Sequence, residues 1–243
     1  MRRRLKRILK HAAARCLNLT RAPEYAQVSY SQEGEDILIS RILSSDIKTQ
    51  GTYVDVGCNH PWNYSNTAYF YERGWRGVVI DPNPIFELKY QKERPGDIFI
   101  NAGLSNEPDQ LTYYEFPISF FNTFSKESAD QLVHEGHQPI PAERKIMVKT
   151  LEAVLESVWP SGKSIDILSI DAEGFDYKII QGHNFKKFPS DYIIIEDDGF
   201  TLENTHYNET QKLMQLNGYI LISKLLKSLI YIHQSECKRL GLI

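Results

Sequence analysis

The stretch Thr52–Gly57 reads TYVDVG, a run of strand-forming residues that ends in a glycine. It predicts a short buried strand followed by a turn, and Val78–Asp81 and Ile165–Ile170 repeat the same pattern further along the chain. Helical patterns lie between such runs, for example over Ser65–Arg73. Strands that alternate with helices indicate an α/β protein with a mostly parallel sheet covered by helices on both faces.

Acidic or amide residues follow nearly every predicted strand. The first strand ends in DVGCN over 55–59, the second in Asp81, the third in Asn101, and the later ones in DAE over 171–173 and EDD over 196–198. Ligands of parallel sheets bind outside the carboxyl ends of the strands. Polar side chains gathered along that edge therefore predict a polar ligand lying across it.

The first two strands indicate that this ligand is a nucleoside. Gly57 lets the backbone approach a ligand closely, and the amides at the start of the helix near Ser65 suit a carboxylate or phosphate. Asp81, at the end of the second strand, is placed to accept hydrogen bonds from ribose hydroxyls. The loop after Gly57 lacks the further glycines of a dinucleotide fingerprint, which favours S-adenosylmethionine. The alternative is that Asp55 and Asp81 merely cap strand ends.

Composition limits the class of protein. The chain has 243 residues, of which 42% are hydrophobic and 24% charged, and this balance excludes a disordered or low-complexity chain. Its three cysteines, Cys16, Cys58 and Cys237, form neither a disulfide framework nor a CxxC metal motif, which favours a reducing, cytoplasmic location. No apolar run approaches the roughly 18 residues of a membrane span.

Positive charge is concentrated at the N-terminus. Eight of the 28 basic residues and no acidic residue lie in 1–21, which leaves 20 basic against 31 acidic residues in 22–243. Apolar residues at helical spacing make 1–21 a predicted basic amphipathic helix, suited to the surface of an anionic membrane. The alternatives are a helix docked on the domain, a solvated terminus or a mitochondrial presequence. Residues 22–243 are predicted to form one domain. Their net negative charge excludes nucleic acid as a partner.

Several motifs in this order resemble the FkbM family of S-adenosylmethionine-dependent methyltransferases. The resemblance runs from about residue 30 to the end, and its longest segments are YSQEGEDI (30–37), GTYVDVGCNHP (51–61), GWRGVVIDPNP (74–84) and IDILSIDAEG (165–174). It implies a class I methyltransferase fold: a Rossmann-like three-layer sandwich with a mostly parallel seven-stranded sheet and an antiparallel last strand. It also implies O-methylation, often of sugars, polyketides or other secondary metabolites.

The resemblance also implies which residues bind S-adenosylmethionine. Those at the methionine end are Asp55, Gly57 and Asn59. The residue that binds the ribose is Asp81. The residues that flank the adenine are Asn101, Gly103 and Leu104. Those that close over the cofactor from the N-terminal side are Gln32, Glu33 and Glu35.

Methyl transfer to a hydroxyl calls for a base or a metal, because a protonated hydroxyl is a poor nucleophile. The base predicted from position is Asp171 or Glu173, with His60 as the next candidate. A divalent cation such as Mg²⁺, held by oxygens of Asp171, Asp197 and Asp198 together with Glu173, is the competing hypothesis.

The predicted acceptor is a small molecule or glycan. Residues 117–145 are predicted to be irregular and to shape its pocket, with Phe116, Phe120, Phe121 and Phe124 either in the core or along the pocket wall. Two other function classes stay open: a metal-dependent hydrolase built on the same sheet, and a catalytically silent S-adenosylmethionine-binding protein at the membrane.

Overall fold

The computed structural model describes residues 27–43, 50–160, 162–203 and 205–242. The prediction of a basic helix over 1–21 lies outside the described residues. Within the described ranges, no helix is both long and apolar enough to cross a membrane.

The described elements alternate along most of the chain. The helices are α1 Glu35–Ile42, α2 Ala68–Tyr71, α3 Ile85–Glu93, α4 Lys126–His134, α5 Leu151–Val158, α6 Asp176–Gln181, α7 Glu209–Leu216 and α8 Gln234–Arg239. The strands are β1 Thr52–Val56, β2 Arg76–Asp81, β3 Ile98–Asn101, β4 Gly103–Leu104, β5 Asp109–Glu115, β6 Ala142–Lys149, β7 Ile165–Ile170, β8 Ser190–Glu196, β9 Tyr219–Lys224 and β10 Ser228–His233.

Seven of the strands form one sheet, in the order β3-β2-β1-β7-β8-β10-β9. Every neighbouring pair is parallel except those of β10, which runs antiparallel to β8 and to β9. This confirms the predicted mostly parallel seven-stranded sheet with an antiparallel last strand. The carboxyl ends of β1, β2, β7 and β8 therefore meet along one edge, as the sequence indicated.

Each face of this sheet is covered by a hydrophobic core. Val54 and Val56 of β1 point into one core with Leu168 of β7, whereas Tyr53 points into the other with Ile167. Successive side chains of a strand alternate between faces. Asp55 therefore shares the face of Tyr53.

Residues 117–145, predicted to be irregular, are mostly ordered. They contain a 3₁₀ turn at Ser119–Phe121, helix α4 and the start of β6. Helix α4 begins after Ser125, whose side chain accepts a hydrogen bond from the Ser128 backbone N–H. β6 lies between β4 and β5 in a small second sheet, separate from the main one.

Helix α3 was not predicted because its sequence, IFELKYQKE, carries no apolar stripe. Its two buried side chains are Phe86 and Tyr90, whereas Ile85 and Leu88 are exposed. A helix stabilised by two large aromatic anchors leaves only a weak periodic signal.

Candidate active site

A cavity of about 500 Å³ opens at the carboxyl edge of the main sheet. Gly57, Asp81 and Asp171 line it from the ends of β1, β2 and β7, and the opposite wall comes from the segment 118–124. This volume lies within the usual range for small-molecule sites, roughly 300–1,000 Å³.

Backbone strain is concentrated in this cavity. Among the described non-glycine residues, a positive φ occurs at Asn59 (42°), Tyr64 (56°) and Glu173 (50°). All three line the cavity. The left-handed region is costly for a bulky residue and persists only where the surrounding structure imposes it, and such residues cluster at functional sites.

Gly57 brings the ends of β1 and β7 together. Its φ is 74°, and a Cβ atom placed there would overlap the carbonyl oxygen of Asp171. The Asp171 N–H donates to the Val56 carbonyl across the same junction, at 3.0 Å. Any side chain at position 57 would push apart the two strand ends that line the cavity.

Asp81 presents a buried carboxylate to the cavity. Its two oxygens accept hydrogen bonds from the backbone N–H groups of Asn59 (3.0 Å) and Asn83 (2.8 Å). Burial nevertheless raises the pKa of Asp81 to about 7. Each oxygen keeps a lone pair for a further donor, which fits the ribose hydroxyls of an adenosyl ligand.

Asn59 adds a second acceptor to the same wall. Its Oδ1 is buried and accepts no hydrogen bond from the described residues. A buried polar atom without a partner is costly, unless a ligand supplies the donor. Asn59 Oδ1 and Asp81 together fit a ligand that carries several donors, as S-adenosylmethionine does with its ribose hydroxyls and its ammonium group.

Asp55 does not line the cavity, contrary to the prediction. It is buried on the other face of β1, where it accepts a hydrogen bond from the Thr67 hydroxyl at 2.5 Å. Burial raises the pKa of Asp55 to about 6. Strand alternation turns Asp55 away from the side of the sheet to which Val54 and Val56 point.

The fully buried Arg94 holds the loop beyond Gly57 in place. Its guanidinium pairs with Asp97 at 2.7 Å and donates to the Thr67 hydroxyl at 3.0 Å. It also donates to the Pro61 carbonyl at 3.0 Å and to the Ser65 hydroxyl at 3.2 Å. This network anchors the loop that carries Asn59.

The N-terminal acids take a different position from the predicted one. Gln32 lines the cavity, but Glu33 and Glu35 do not. Glu33 accepts hydrogen bonds from the backbone N–H of Lys227 at 3.1 Å, and Glu35 accepts one from the Ser228 hydroxyl at 2.7 Å. These two carboxylates therefore bind the β9–β10 turn and do not cover the cavity.

Of the three residues predicted to flank the adenine, Leu104 lines the cavity. Asn101 is exposed, and its side-chain amide donates to the Asp81 carbonyl at 2.9 Å. Gly103 is packed against Phe124, whose Cζ would lie 2.6 Å from an added Cβ. Asn101 and Gly103 therefore support the cavity wall from behind the residues that line it.

Three carboxylates converge at the other end of the cavity. Asp171, Glu173 and Glu196 each place an oxygen within 4.8 Å of the others. Burial, reinforced by the charge of Glu196, raises the pKa of Glu173 to about 8 and that of Asp171 well above its usual range. The positive charge beside them is the ammonium of Lys227, whose Nζ lies 3.1 Å from Glu196 Oε1.

Asp176 fixes the turn that carries these acids. Its carboxylate accepts hydrogen bonds from the backbone N–H groups of Ala172 (2.8 Å) and Gly174 (3.1 Å). In the same turn, the backbone carbonyl of Glu173 accepts a hydrogen bond from the Thr123 hydroxyl, at 2.7 Å. The left-handed conformation of Glu173 is thereby held from both sides.

Of the residues predicted to hold a metal, Asp171 and Glu173 lie together in the carboxylate cluster, whereas Asp197 and Asp198 do not join it. Asp197 accepts a hydrogen bond from the Asn208 side chain at 2.9 Å, and the Asp198 side chain is 71% exposed. Neither lines the cavity with Asp171. The sequence placed Glu196 at this edge as part of EDD (196–198) but did not single it out for the cluster, and it did not single out Lys227.

His60 also lies off the cavity, contrary to its candidacy as a base. Its Nδ1 accepts hydrogen bonds from the backbone N–H groups of Trp62 (3.2 Å) and Asn63 (3.3 Å). Burial lowers the pKa of His60, which keeps this nitrogen free to accept. His60 therefore stabilises a loop turn.

An apolar, largely aromatic wall completes the site. The residues that contribute to it are Tyr64, Tyr113, Ile118, Phe120, Phe121 and Phe124. Tyr64 and Phe120, which both line the cavity, meet edge to face at 5.1 Å. Phe116 packs instead in a small core with Tyr114 and Ala129.

Comparison with known proteins agrees with the sequence motifs. The family model described as "Methyltransferase FkbM domain" matches residues 55–221. No curated protein matches the chain. Among solved structures, a TehB-like SAM-dependent methyltransferase from Corynebacterium glutamicum is similar, with 11% sequence identity and a TM-score of 0.42. The alignment covers 93% of this chain and 97% of that one.

Proposed function

The chain belongs to the FkbM methyltransferase family, and on that premise we propose that it methylates a hydroxyl group of a small molecule or glycan. When bound, S-adenosylmethionine supplies a methyl group made electrophilic by the sulfonium. The observation that carries the proposal is a single cavity with hydrogen-bond acceptors for a nucleoside at one end and a carboxylate cluster at the other.

The donor half of the cavity is defined by Asp81 and Asn59. In this proposal the Asp81 carboxylate accepts the ribose hydroxyls, and Asn59 Oδ1 accepts from another donor of the ligand. Leu104 provides an apolar surface for the adenine, and Gly57 keeps the strand ends close enough to form the floor. Gln32 borders the cavity from the N-terminal side.

The acceptor half of the cavity carries the base. Glu173 accepts no side-chain hydrogen bond within the described part of the chain, so its carboxylate is free to take the proton of the acceptor hydroxyl. Its pKa of about 8 lies near neutral pH, where a general base is efficient. Asp171 lies beside it and remains the alternative base.

The same observations bear on the other function classes. Family membership favours methyl transfer over metal-dependent hydrolysis. The positive charge that Lys227 places beside Glu196 favours a base over a divalent cation in the acceptor site. The base-bearing cluster favours an enzyme over a silent binding protein. Methyl transfer that stops in EDTA and returns with Mg²⁺ would restore the metal hypothesis.

Methyl transfer from a labelled donor into a fractionated cell extract tests the activity. We expect label in a glycan or metabolite fraction as a methyl ether, which resists alkaline hydrolysis. Glu173→Gln should lower the transfer at least about a hundredfold, whereas the exposed control Glu107→Gln should not. Label recovered as base-labile esters or as methylamines would overturn the proposal, as would full activity of both Glu173→Gln and Asp171→Asn.

We further propose that residues 1–21 attract the protein to an anionic membrane surface. Gln32, in the first described stretch after this segment, borders the cavity. The exposed side chains of Tyr64 and Ile118 border the same cavity. Cosedimentation with phosphatidylserine vesicles should exceed that with phosphatidylcholine vesicles and fall with added salt. Equal binding by the R2Q/R3Q/R4Q variant would contradict this.

A further inference from the structure

The turn between β9 and β10 delivers a lysine into the cavity. Lys227 lines the cavity together with Glu173 and Asp171. Its Nζ lies 3.1 Å from Glu196 Oε1 and 3.7 Å from Asp198 Oδ2. The Glu196 side chain is only 12% exposed, so this ion pair is shielded from solvent on the carboxylate side.

The backbone of Lys227 is held from both sides. Its N–H donates to the Glu33 carboxylate at 3.1 Å, and its carbonyl accepts from the Asp197 N–H at 3.1 Å. The next residue, Ser228, donates its hydroxyl to Glu35. In the same hairpin, the Lys224 ammonium donates to the Leu226 carbonyl at 2.8 Å and lies over the Phe200 ring.

A positive charge eases ionisation of the carboxylate cluster. Three carboxylates with oxygens within 4.8 Å of one another repel strongly when more than one is ionised. Asp176, from α6, adds a further negative charge close by. The charged groups that surround Lys227 and Glu173 are thus Glu196, Asp198, Asp171 and Asp176, with Glu33 at the lysine backbone.

We propose that Lys227 is the counter-cation of the acceptor site, held there by Glu33 and Glu35. Its ammonium favours the ionised forms of Glu196 and Glu173, and Glu173 then accepts the acceptor proton. This inference rests on the proposed function, because it takes Glu173 as the base. It gives Glu33 and Glu35, which were predicted to contact the cofactor, the role of positioning Lys227.

The directions of the pKa shifts of Lys227 and Glu173 agree with this role. Although burial favours a neutral amine, Glu196 outweighs it and raises the pKa of Lys227. Lys227 in turn lowers the pKa of Glu173, against burial and the charge of Glu196. Removing the ammonium should therefore make Glu173 harder to ionise.

Titration of Glu173 by carboxyl ¹³C NMR tests this without any acceptor. The protein would be labelled at glutamate Cδ, saturated with S-adenosylhomocysteine, and the Glu173 signal assigned from Glu173→Gln. We expect Lys227→Met and Lys227→Gln to move the Glu173 midpoint upward by at least about one pH unit. Lys227→Arg should restore it, Glu33→Gln should give an intermediate shift, and the control Lys224→Met should leave it unchanged.

Methyl transfer to the acceptor fraction labelled by the wild type supplies the second readout. Lys227→Met should be about tenfold slower at pH 7 and approach the wild-type rate at high pH, with the donor KM unchanged. An unmoved Glu173 midpoint in both neutral variants, or a loss of rate equal at every pH, would overturn the inference. Failure of the proposed function would appear separately, as full activity of Glu173→Gln and Asp171→Asn.

Discussion

Replacing Asp81 by asparagine is expected to weaken donor binding and to abolish its pH dependence. In the wild type each carboxylate oxygen accepts one backbone N–H, from Asn59 or Asn83. An asparagine has one oxygen, so one of these N–H groups loses its acceptor, which destabilises the fold by ~1–3 kcal/mol. A ribose hydroxyl also loses a charged acceptor, at ~1.5–3 kcal/mol, which corresponds to about 10- to 150-fold weaker binding.

The pH dependence follows from the pKa of about 7 that burial imposes on Asp81. At pH 6 about one tenth of the carboxyl groups are ionised, and at pH 8 about nine tenths. If the hydroxyls bind the carboxylate, affinity should therefore rise about tenfold between these pH values. The stability of the unliganded protein moves the other way: a folded pKa above the unfolded value stabilises at low pH, and this contribution is lost as pH rises towards 7.

Isothermal titration calorimetry with S-adenosylhomocysteine between pH 5.5 and 8.5 measures both effects, with the exposed Asp130→Asn as control. Wild type and control should show the same rise in affinity with pH, whereas Asp81→Asn should show weaker binding at every pH and no rise. Wild-type affinity in Asp81→Asn would refute the assignment of Asp81 to the ribose. A pH slope that survives in Asp81→Asn would place the titrating group elsewhere.

Three further substitutions probe the framework of the site. Gly57→Ala should destabilise the protein by at least ~2 kcal/mol, because the new Cβ overlaps the Asp171 carbonyl at a left-handed φ; a thermal melt and S-adenosylhomocysteine binding check this, and a wild-type melting temperature contradicts it. Arg94→Leu leaves the buried Asp97 unpaired and should cost ~3–5 kcal/mol in urea unfolding; a loss below ~1 kcal/mol would show that the network is dispensable. His60→Ala should retain methyl transfer within about threefold, since His60 lies off the cavity and only closes a turn; a hundredfold loss would reinstate it as a base.

Local pattern was enough to locate the site. Gly57, Asp81 and Asp171 follow buried strands, and parallel pairing brings these strand ends to one edge. Predicting that these side chains line the cavity required no knowledge of contacts between distant parts of the chain. The same reasoning identified Glu173, because it lies in the turn directly after β7.

Residues whose position depends on distant contacts were predicted less well. Glu33 binds the backbone of Lys227, far away in the chain, and no local pattern reveals such a pair. Residues 118–124 line the cavity, as predicted for the segment 117–145, but the pairing of β6 with β5 in a second sheet was not predicted. Asp55 is a different case, since alternation with Val54 and Val56 already contained the signal that it faces the other core.

The cavity holds several groups that the folded protein keeps in unfavourable states. Burial raises the pKa of Asp81 to about 7 and that of Glu173 to about 8, and Asn59 Oδ1 lacks a partner among the described residues. The buried acids favour folding only while protonated, so the unliganded protein should lose stability from about pH 4 to pH 8. Over the same range Asp81 and Glu173 become the carboxylates that binding and proton abstraction require. Function and stability of the unliganded protein are therefore opposed at this edge, and donor binding should stabilise the protein more at pH 8 than at pH 6.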